Sequence, residues 1–525
     1  MQRTDHNETV SLWTAGDELP RYPRLDADLH APVCVVGAGM AGLSVAYEVL
    51  RSGRSVVVLD RGAVGAGETS RSTAQLGTAL DERYFDLARI HGADGARLAA
   101  ESHGAAIDRV EQVVREEKIE CGFERLDGYL FTGPDQSEDL LERELAAAHH
   151  AGLTDVTLVT STPPMSPGRS LRFPRQAQMD PVRYIAGLAH AVVRAGGRIF
   201  SDTQAEKIEG GKPGMIVTAG GPVVTADQIV VATNTPVNNL FALHTKQAAY
   251  RTYVLAASVP RGSIARALYW DTLDPYHYVR IAASDDQVDW LIVGGEDHKT
   301  GQEHDPAERW TRLEEWMRAR FPMVGAVGSR WSGQVMQSMD GLAYIGKNPL
   351  DDDNVFVVTG DTGTGITHGA IAGMLLADLL DRKENRWAHL YDPSRVSLRA
   401  GGNFLRENVS AVAPYADWLE AGDVNHEKEI AAGHGAVVRH GLKLLAVYRD
   451  DAGELHRCGA ACPHLGGVVR WNAAERSWDC PCHGSRFDAL GKVMNGPANT
   501  DLTVIEDDAD SEVPALSMAV NGEGG

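Results

Sequence analysis

Hydrophobic positions along the chain fall into runs whose spacing assigns most of its elements. The segment 31–60, APVCVVGAGMAGLSVAYEVLRSGRSVVVLD, reads as an apolar strand, a glycine turn, a helix and a second apolar strand. Between 84 and 118 apolar residues recur at helical spacing, and the strand-like GYLFTG and another helix to about 151 follow. Residues 156–180, rich in Ser, Thr and Pro, read as loop. A helix is predicted over 181–196, stopped by Gly196-Gly197, with strands after it. Runs at 250–260, 276–282 and 288–295 predict strands of a second, antiparallel sheet, with a helix at 306–320. The apolar strand 355–359 enters a glycine-rich turn and then a helix. Residues 396–430 read as a helical connector, and AVVRHGLKLLAVYRDD beyond it is strand-like.

Composition bounds the reading. A chain of 525 residues with 43% hydrophobic content holds two or three domains with sizeable cores. Its net charge of −22 disfavours nucleic acid or an anionic membrane as a partner. The N-terminus lacks a basic region followed by an apolar one, and no stretch is apolar enough to span a bilayer, so a cytoplasmic location is expected. Six cysteines are too few for a disulfide framework, and Cys34 and Cys121 read as small core residues.

The other cysteines bring in chemistry. Cys462-Pro-His464 is followed, after fifteen residues, by Cys480-Pro-Cys482-His483. Two mixed Cys/His pairs are the ligand set of a Rieske [2Fe–2S] centre, with thiolates on one iron and imidazoles on the other. A zinc finger more often pairs Cys with Cys and His with His. The sequences CPHLGG, WDCPCHGSRFD and GPA resemble the Rieske domain family over roughly 431–520. The resemblance implies that Cys462, His464, Cys480 and His483 hold the iron. Many family members link the cysteine beside the second-loop histidine to one five residues after the first ligand. Here Cys482 is present but the other position is Gly467. A serine and a tyrosine donate to cluster sulfurs in high-potential members; Ser485 is kept, but Phe487 stands at the tyrosine position.

The glycines Gly37, Gly39 and Gly42 fit G-x-G-x-x-G between two apolar strands, and Asp60 ends the second strand, where an acid accepts ribose hydroxyls. This pattern indicates a dinucleotide without separating NAD from FAD. Further stretches resemble the D-amino-acid oxidase-like superfamily of FAD-dependent oxidoreductases: GETSRSTAQL at 67–76, ADQIVVATNTP at 226–236 and GLAYIGKNPLDDDNVFVVTGDTGTGITHGAIAGMLLADLL at 341–380. The resemblance implies FAD as cofactor, with Arg61 and Ser70 joining the glycine fingerprint and Asp60. It also implies that Gly360, Gly363, Gly365 and Ile366 present main-chain groups to the flavin. In amino-acid-oxidising relatives an arginine on the strand equivalent to YHYVRI pairs with the substrate carboxylate, and Arg280 matches it. His277, Tyr278, Tyr253 and His298 are further candidates to line the pocket.

The expected fold is an α/β FAD-binding Rossmann-like domain with an interleaved antiparallel α+β substrate domain, then an all-β Rieske domain. The expected divisions are an N-terminal segment 1–30, the flavin module 31–395, the connector 396–430 and the Rieske domain 431–520. Together the modules imply oxidation of a small-molecule amine or amino acid by hydride transfer to FAD. Single electrons would then pass through the cluster to an acceptor protein or oxygen. An NAD(P)H-dependent flavin reductase is a rival, although no second dinucleotide fingerprint is present, and a non-catalytic redox carrier or sensor is another. The two cofactor sites, being on separate domains, are expected to be independent.

Overall fold

The computed structural model describes residues 9–505 except 17, 134–136, 138, 161–167, 239–242, 285–286, 304–305, 397–412 and 420–421. The first βαβ unit forms as the pattern requires: strands Leu29–Val36 and Val56–Leu59 pair in parallel, joined by the helix Met40–Arg51. Val223–Val231 and Val355–Thr359 extend this sheet on one side and Arg198–Phe200 on the other, all in parallel. The central strands Val56–Leu59 and Val355–Thr359 are buried throughout because both faces of the sheet are covered. The helix Gly365–Leu380 packs on Met40–Arg51 through Gly369 and Gly373. A Cβ at either position would come within 3.0 Å of main chain at Ala41 or Ser44. The close crossing brings both helix N-termini to one end of the sheet.

The second sheet runs in the order Val327–Ser338, Gln247–Pro260, Val288–Lys299, His277–Ala283, Leu268–Asp271, Glu124–Phe131, Ser170–Gln178 and Gln75–Leu76. All neighbours are antiparallel except Leu268–Asp271 with Glu124–Phe131. The helix Pro306–Arg320 covers one face. The chain crosses between the two sheets repeatedly, which is the interleaving expected of the sequence.

Two expectations need correction. Within 156–180, Thr157–Val159 and Ser170–Gln178 are strands. The second includes Pro174, which has no N–H for the ladder. The register with Glu124–Phe131 shifts there and Arg175 takes φ +59°, so a bulge accommodates the proline inside a sheet. The long helix Tyr84–Glu117 is interrupted at Gly92, where φ is +77°. The connector 396–430 lies partly outside the described residues; its described part holds the short 3-10 turns Ala413–Leu419 and Glu427–Glu429 instead of an α-helix.

The C-terminal domain is built from a three-stranded antiparallel sheet, His434–His440, Lys443–Arg449 and Leu455–Gly459, and a four-stranded one ending at Val493–Asn495. It docks on the second sheet through a buried ion network. Glu475 accepts from Arg251 at 2.7 Å and Arg486 at 2.8 Å, and also from the Ser332 hydroxyl. Burial alone would raise the Glu475 carboxyl, but Arg251, Arg486 and Arg71 hold it well below the usual carboxylate range. Residues 506–520 of the expected domain lie outside the described residues.

Candidate functional site

A cavity of about 760 Å³ runs from the glycine turn at the first helix to the face of the second sheet. At one end Gly37 has φ +110° and its missing Cβ would collide with the Ala232 carbonyl, so no other residue lets the turn sit so close to the sheet. Gly42 packs against the Gly37 carbonyl. Asp60 accepts from Ala38 N at 2.6 Å and Gly62 N at 2.8 Å, fixing the turn while a carboxylate keeps further lone pairs for hydroxyls. Thr69 accepts from Met40 N at 3.0 Å at the start of the helix.

Of the residues expected to bind the cofactor, Gly37, Gly39, Asp60, Arg61, Gly363, Gly365 and Ile366 line the cavity. Gly42, Ser70 and Gly360 stand behind that surface: Ser70 Oγ donates to Gly67 O at 3.1 Å, and Gly360 faces Tyr344 and Gln247. A glycine cradle, an acid at the second strand and two helix N-termini on one cavity fit a dinucleotide cofactor.

Arg280 is not at the cavity. Its guanidinium donates to the carbonyl oxygens of Thr73, Ala74 at 3.1 Å and Met179 at 2.9 Å, and Trp13 packs on it at 5.2 Å. Burial lowers its pKa to about 9. The expected carboxylate anchor is thus a brace between the 73–74 and 179 main chains. His277 is held by Asp271 at 2.9 Å and stacks on Trp316, and His298 meets the Tyr253 hydroxyl at 2.8 Å. None of these lines the cavity; Tyr278 does, with its hydroxyl 2.9 Å from Thr252 Oγ1.

Sequence reasoning missed the residues that line the second-sheet end: Asp81, Trp270, Tyr276, Gln334 and Asp361. Tyr276 donates to Asp81 at 3.2 Å and Met336 N donates to Asp361 at 3.3 Å. Burial raises the carboxyl of Asp81 to about 6 and that of Asp361 to about 7. Among the described residues no arginine, lysine or histidine forms an ion pair with either. Tyr276 and Tyr278 belong to the same YHYVRI run as Arg280, so that run reaches the cavity through its tyrosines and not through its arginine.

In the C-terminal domain the two Cys/His loops have one main-chain design. Cys462 N donates to Gly467 O and Gly466 N to Cys462 O, both at 2.8 Å. Cys480 N donates to Ser485 O at 2.8 Å and Gly484 N to Cys480 O at 3.0 Å. Each loop turns on a glycine at positive φ, Gly466 at +75° and Gly484 at +80°. The turns set the Cys462 and Cys480 thiols within hydrogen-bond reach of each other and the His464 and His483 rings 5.0 Å apart. His464 Nε2 is buried with no hydrogen-bond partner. Burial depresses His464 to about 2 and His483 to about 4, so both rings are neutral. A sulfur pair beside a neutral imidazole pair fits a two-iron cluster.

Several contacts around these loops have no local sequence signal. His244, from the first part of the chain, packs edge-on against His464 at 4.8 Å and His483 at 5.8 Å. Tyr415 donates to Leu465 O at 2.9 Å and Trp418 to Gly466 O at 2.9 Å, closing the connector over the first loop. Gly467 stands against Cys482, where an added Cβ would lie 2.5 Å from the sulfur. Gln334 lines the large cavity and donates its side-chain amide to Gly484 O at 3.0 Å. Finally, residues from 492 to 501 of the C-terminal domain line the large cavity, contrary to the expectation of independent sites.

Comparison with known proteins agrees with both halves. Residues 32–379 match the FAD dependent oxidoreductase (DAO) family and 420–506 the Rieske [2Fe-2S] domain. The putative Rieske 2Fe-2S iron-sulfur protein YhfW of Bacillus subtilis (strain 168) is 31% identical over 94% of this chain and 97% of its own length. Gamma-glutamylputrescine oxidoreductase of Escherichia coli (strain K12) is 24% identical over 72% of this chain and 89% of its own. Glycine oxidase from Geobacillus kaustophilus superposes with a TM-score of 0.59 at 19% identity, covering 70% of this chain and 99% of the oxidase. With the glycine cradle and the paired Cys/His loops on one chain, the protein belongs to the DAO family of FAD-dependent oxidoreductases and carries a C-terminal Rieske [2Fe–2S] domain.

Proposed function

We propose that the chain oxidises a small-molecule amine with FAD and that the electrons leave one at a time through its own Rieske cluster. FAD supplies the acceptance of a hydride as an electron pair, and the cluster supplies one-electron passage. The observation that carries the reading is Gln334, whose side chain lies on the flavin cavity and donates to Gly484 in the loop of the cluster ligand His483. One residue spans the two sites. His244 covers the two imidazoles from the flavin module, so the ligand edge of the cluster faces the flavin domain.

The residues at the second-sheet end decide the class of substrate. Asp81 and Asp361 face the cavity without an ion-pair partner among the described residues, whereas Arg280 is occupied by main-chain oxygens. A substrate that arrives as an ammonium cation satisfies such a site and can leave a proton on a carboxylate there, freeing the nitrogen lone pair that hydride departure requires, whereas an isolated carboxylate is not satisfied by it. Tyr276, Tyr278 and Trp270 supply the apolar wall that orients the neighbouring carbon and excludes water. The relatives named for γ-glutamylputrescine and for glycine support chemistry at a carbon bearing nitrogen.

Anaerobic mixing of the protein with a panel of amines, amino acids, NADH and NADPH tests the reading. Bleaching of the flavin by an amine, followed by the EPR signal of the reduced cluster, is expected. Bleaching by a nicotinamide alone would make the protein a reductase, and a flavin reduced by none of them would make it a carrier or sensor.

A further inference from the structure

We propose that the Rieske domain completes the flavin-binding site, so that FAD is held only as tightly as the segment 492–501 is seated. This segment forms a wall of the cavity, with Lys492, Asn495, Gly496 and Asn499 on its surface. Two tethers hold it there. Asn495 Nδ2 donates to Glu68 Oε1 at 2.8 Å, and Glu68 precedes Thr69, the residue that caps the dinucleotide helix at Met40 N. Asn499 Nδ2 donates to Glu206 O at 2.7 Å while its own carbonyl accepts from Gln204. Gln204 adjoins Thr203, whose N–H donates to Asp60 O at 2.7 Å. The segment therefore reaches across the cavity from the Asp60 end to the Gly39 end.

The same segment is tied to the cluster loops. Ala498 N donates to Ser485 Oγ at 3.0 Å, and the Ser485 carbonyl accepts from the N–H of the cluster cysteine Cys480 at 2.8 Å. A filled cluster fixes the second loop, the loop fixes Ala498, and Ala498 positions the two asparagines against the flavin module. Coupling of this kind is reciprocal in binding free energy: the cluster domain strengthens FAD binding, and bound FAD holds the wall closed.

Two measurements test this without reference to turnover. Release of FAD from the fully loaded protein, followed by the fluorescence of the freed cofactor, should quicken about tenfold on losing one half-buried hydrogen bond to a charged group, as in Asn495→Ala. Ser485→Ala should also quicken it, and in both variants iron content is to be verified at the parent level. Hydrogen exchange on the parent gives the second reading: amides of 492–501 should be more protected with FAD bound than after its removal. FAD release at the parent rate in both iron-replete variants, or protection of 492–501 indifferent to FAD, would overturn the proposal.

Discussion

The His244 ring meets the His464 ring edge-on at 4.8 Å, with the planes inclined by 68°. A flavin-module side chain thus shields a cluster imidazole that a free-standing domain would turn toward water. His244→Ala should open this edge. Rapid mixing with an active amine is expected to show flavin bleaching at the parent rate and slower appearance of the reduced cluster, whereas His244→Phe, which keeps the packing, should fall between the two. Equal cluster kinetics in all three proteins would remove His244 from the contact that matters.

Arg280→Met tests the brace. The substitution leaves the buried Met179 carbonyl without its guanidinium donor, at about 1–3 kcal/mol for an unsatisfied group, while Ala74 O keeps the Met179 N–H at 3.4 Å. We expect a lower guanidinium midpoint with an unchanged order of preference among substrates. A selective loss of carboxylate-bearing substrates at parental stability would return Arg280 to the site.

Asp81 gives a pH signature. Its carboxyl is raised by burial from 3.8 to about 6, so it carries charge only above that pH. For an amine that binds as a cation, kcat/KM should rise through about pH 7 as Asp361 ionises and, at lower pH, through about 6 as Asp81 does. Asp81→Asn should abolish that limb and weaken binding by about 2 kcal/mol, roughly thirtyfold in KM. The stability sign is the reverse. Because the folded-state pKa is raised, the contribution of Asp81 favours the fold below about pH 4 and is lost as pH rises through about 6, which denaturant titrations of the amine-free protein can follow.

Phe487, fully buried in the strand Arg486–Asp488, supplies no hydroxyl to the cluster sulfurs. Fewer donors leave the reduced state less stabilised, so the midpoint should lie toward about −150 mV and not +300 mV. The Tyr415 hydroxyl, spent on the Leu465 carbonyl of the first loop, does not replace the missing donor. Phe487→Tyr should raise the potential in EPR-monitored titrations; a parent midpoint above about +150 mV would refute the argument from Phe487.

What could be read from the sequence was local. The βαβ unit and the two Cys/His loops declare themselves because their turns, strands and ligands lie within a few tens of residues, and their main-chain bonds close inside those stretches. The strand Ser170–Gln178 did not, since its place in a sheet rests on a bulge at Pro174 that only its partner strand makes tolerable. That Tyr276 lines the cavity while Arg280 does not has a related reason. The path of the 72–74 main chain across the strand, fixed by Trp13 donating to Ser72 O at 2.8 Å, decides which side chain meets the cavity. Asp81 and Gln334 belong to no pattern, and their roles come from folding together segments hundreds of residues apart.

The Glu475 network has a kinetic meaning. Arg251 is fully buried, and among the described residues its Nε and Nη1 have no hydrogen-bond partner, so Glu475 is the carboxylate that balances its charge. Lifting the Rieske domain away would strand that guanidinium inside the second sheet, a change that costs about 3–5 kcal/mol when one partner of a buried pair is removed. The gap between the flavin cavity and the cluster loops is therefore fixed by packed protein, with no tethered domain having to diffuse through solvent. Thickening the medium with glycerol or sucrose should leave the rate of cluster reduction by flavin unchanged, while any step that depends on encounter with an outside acceptor slows in proportion.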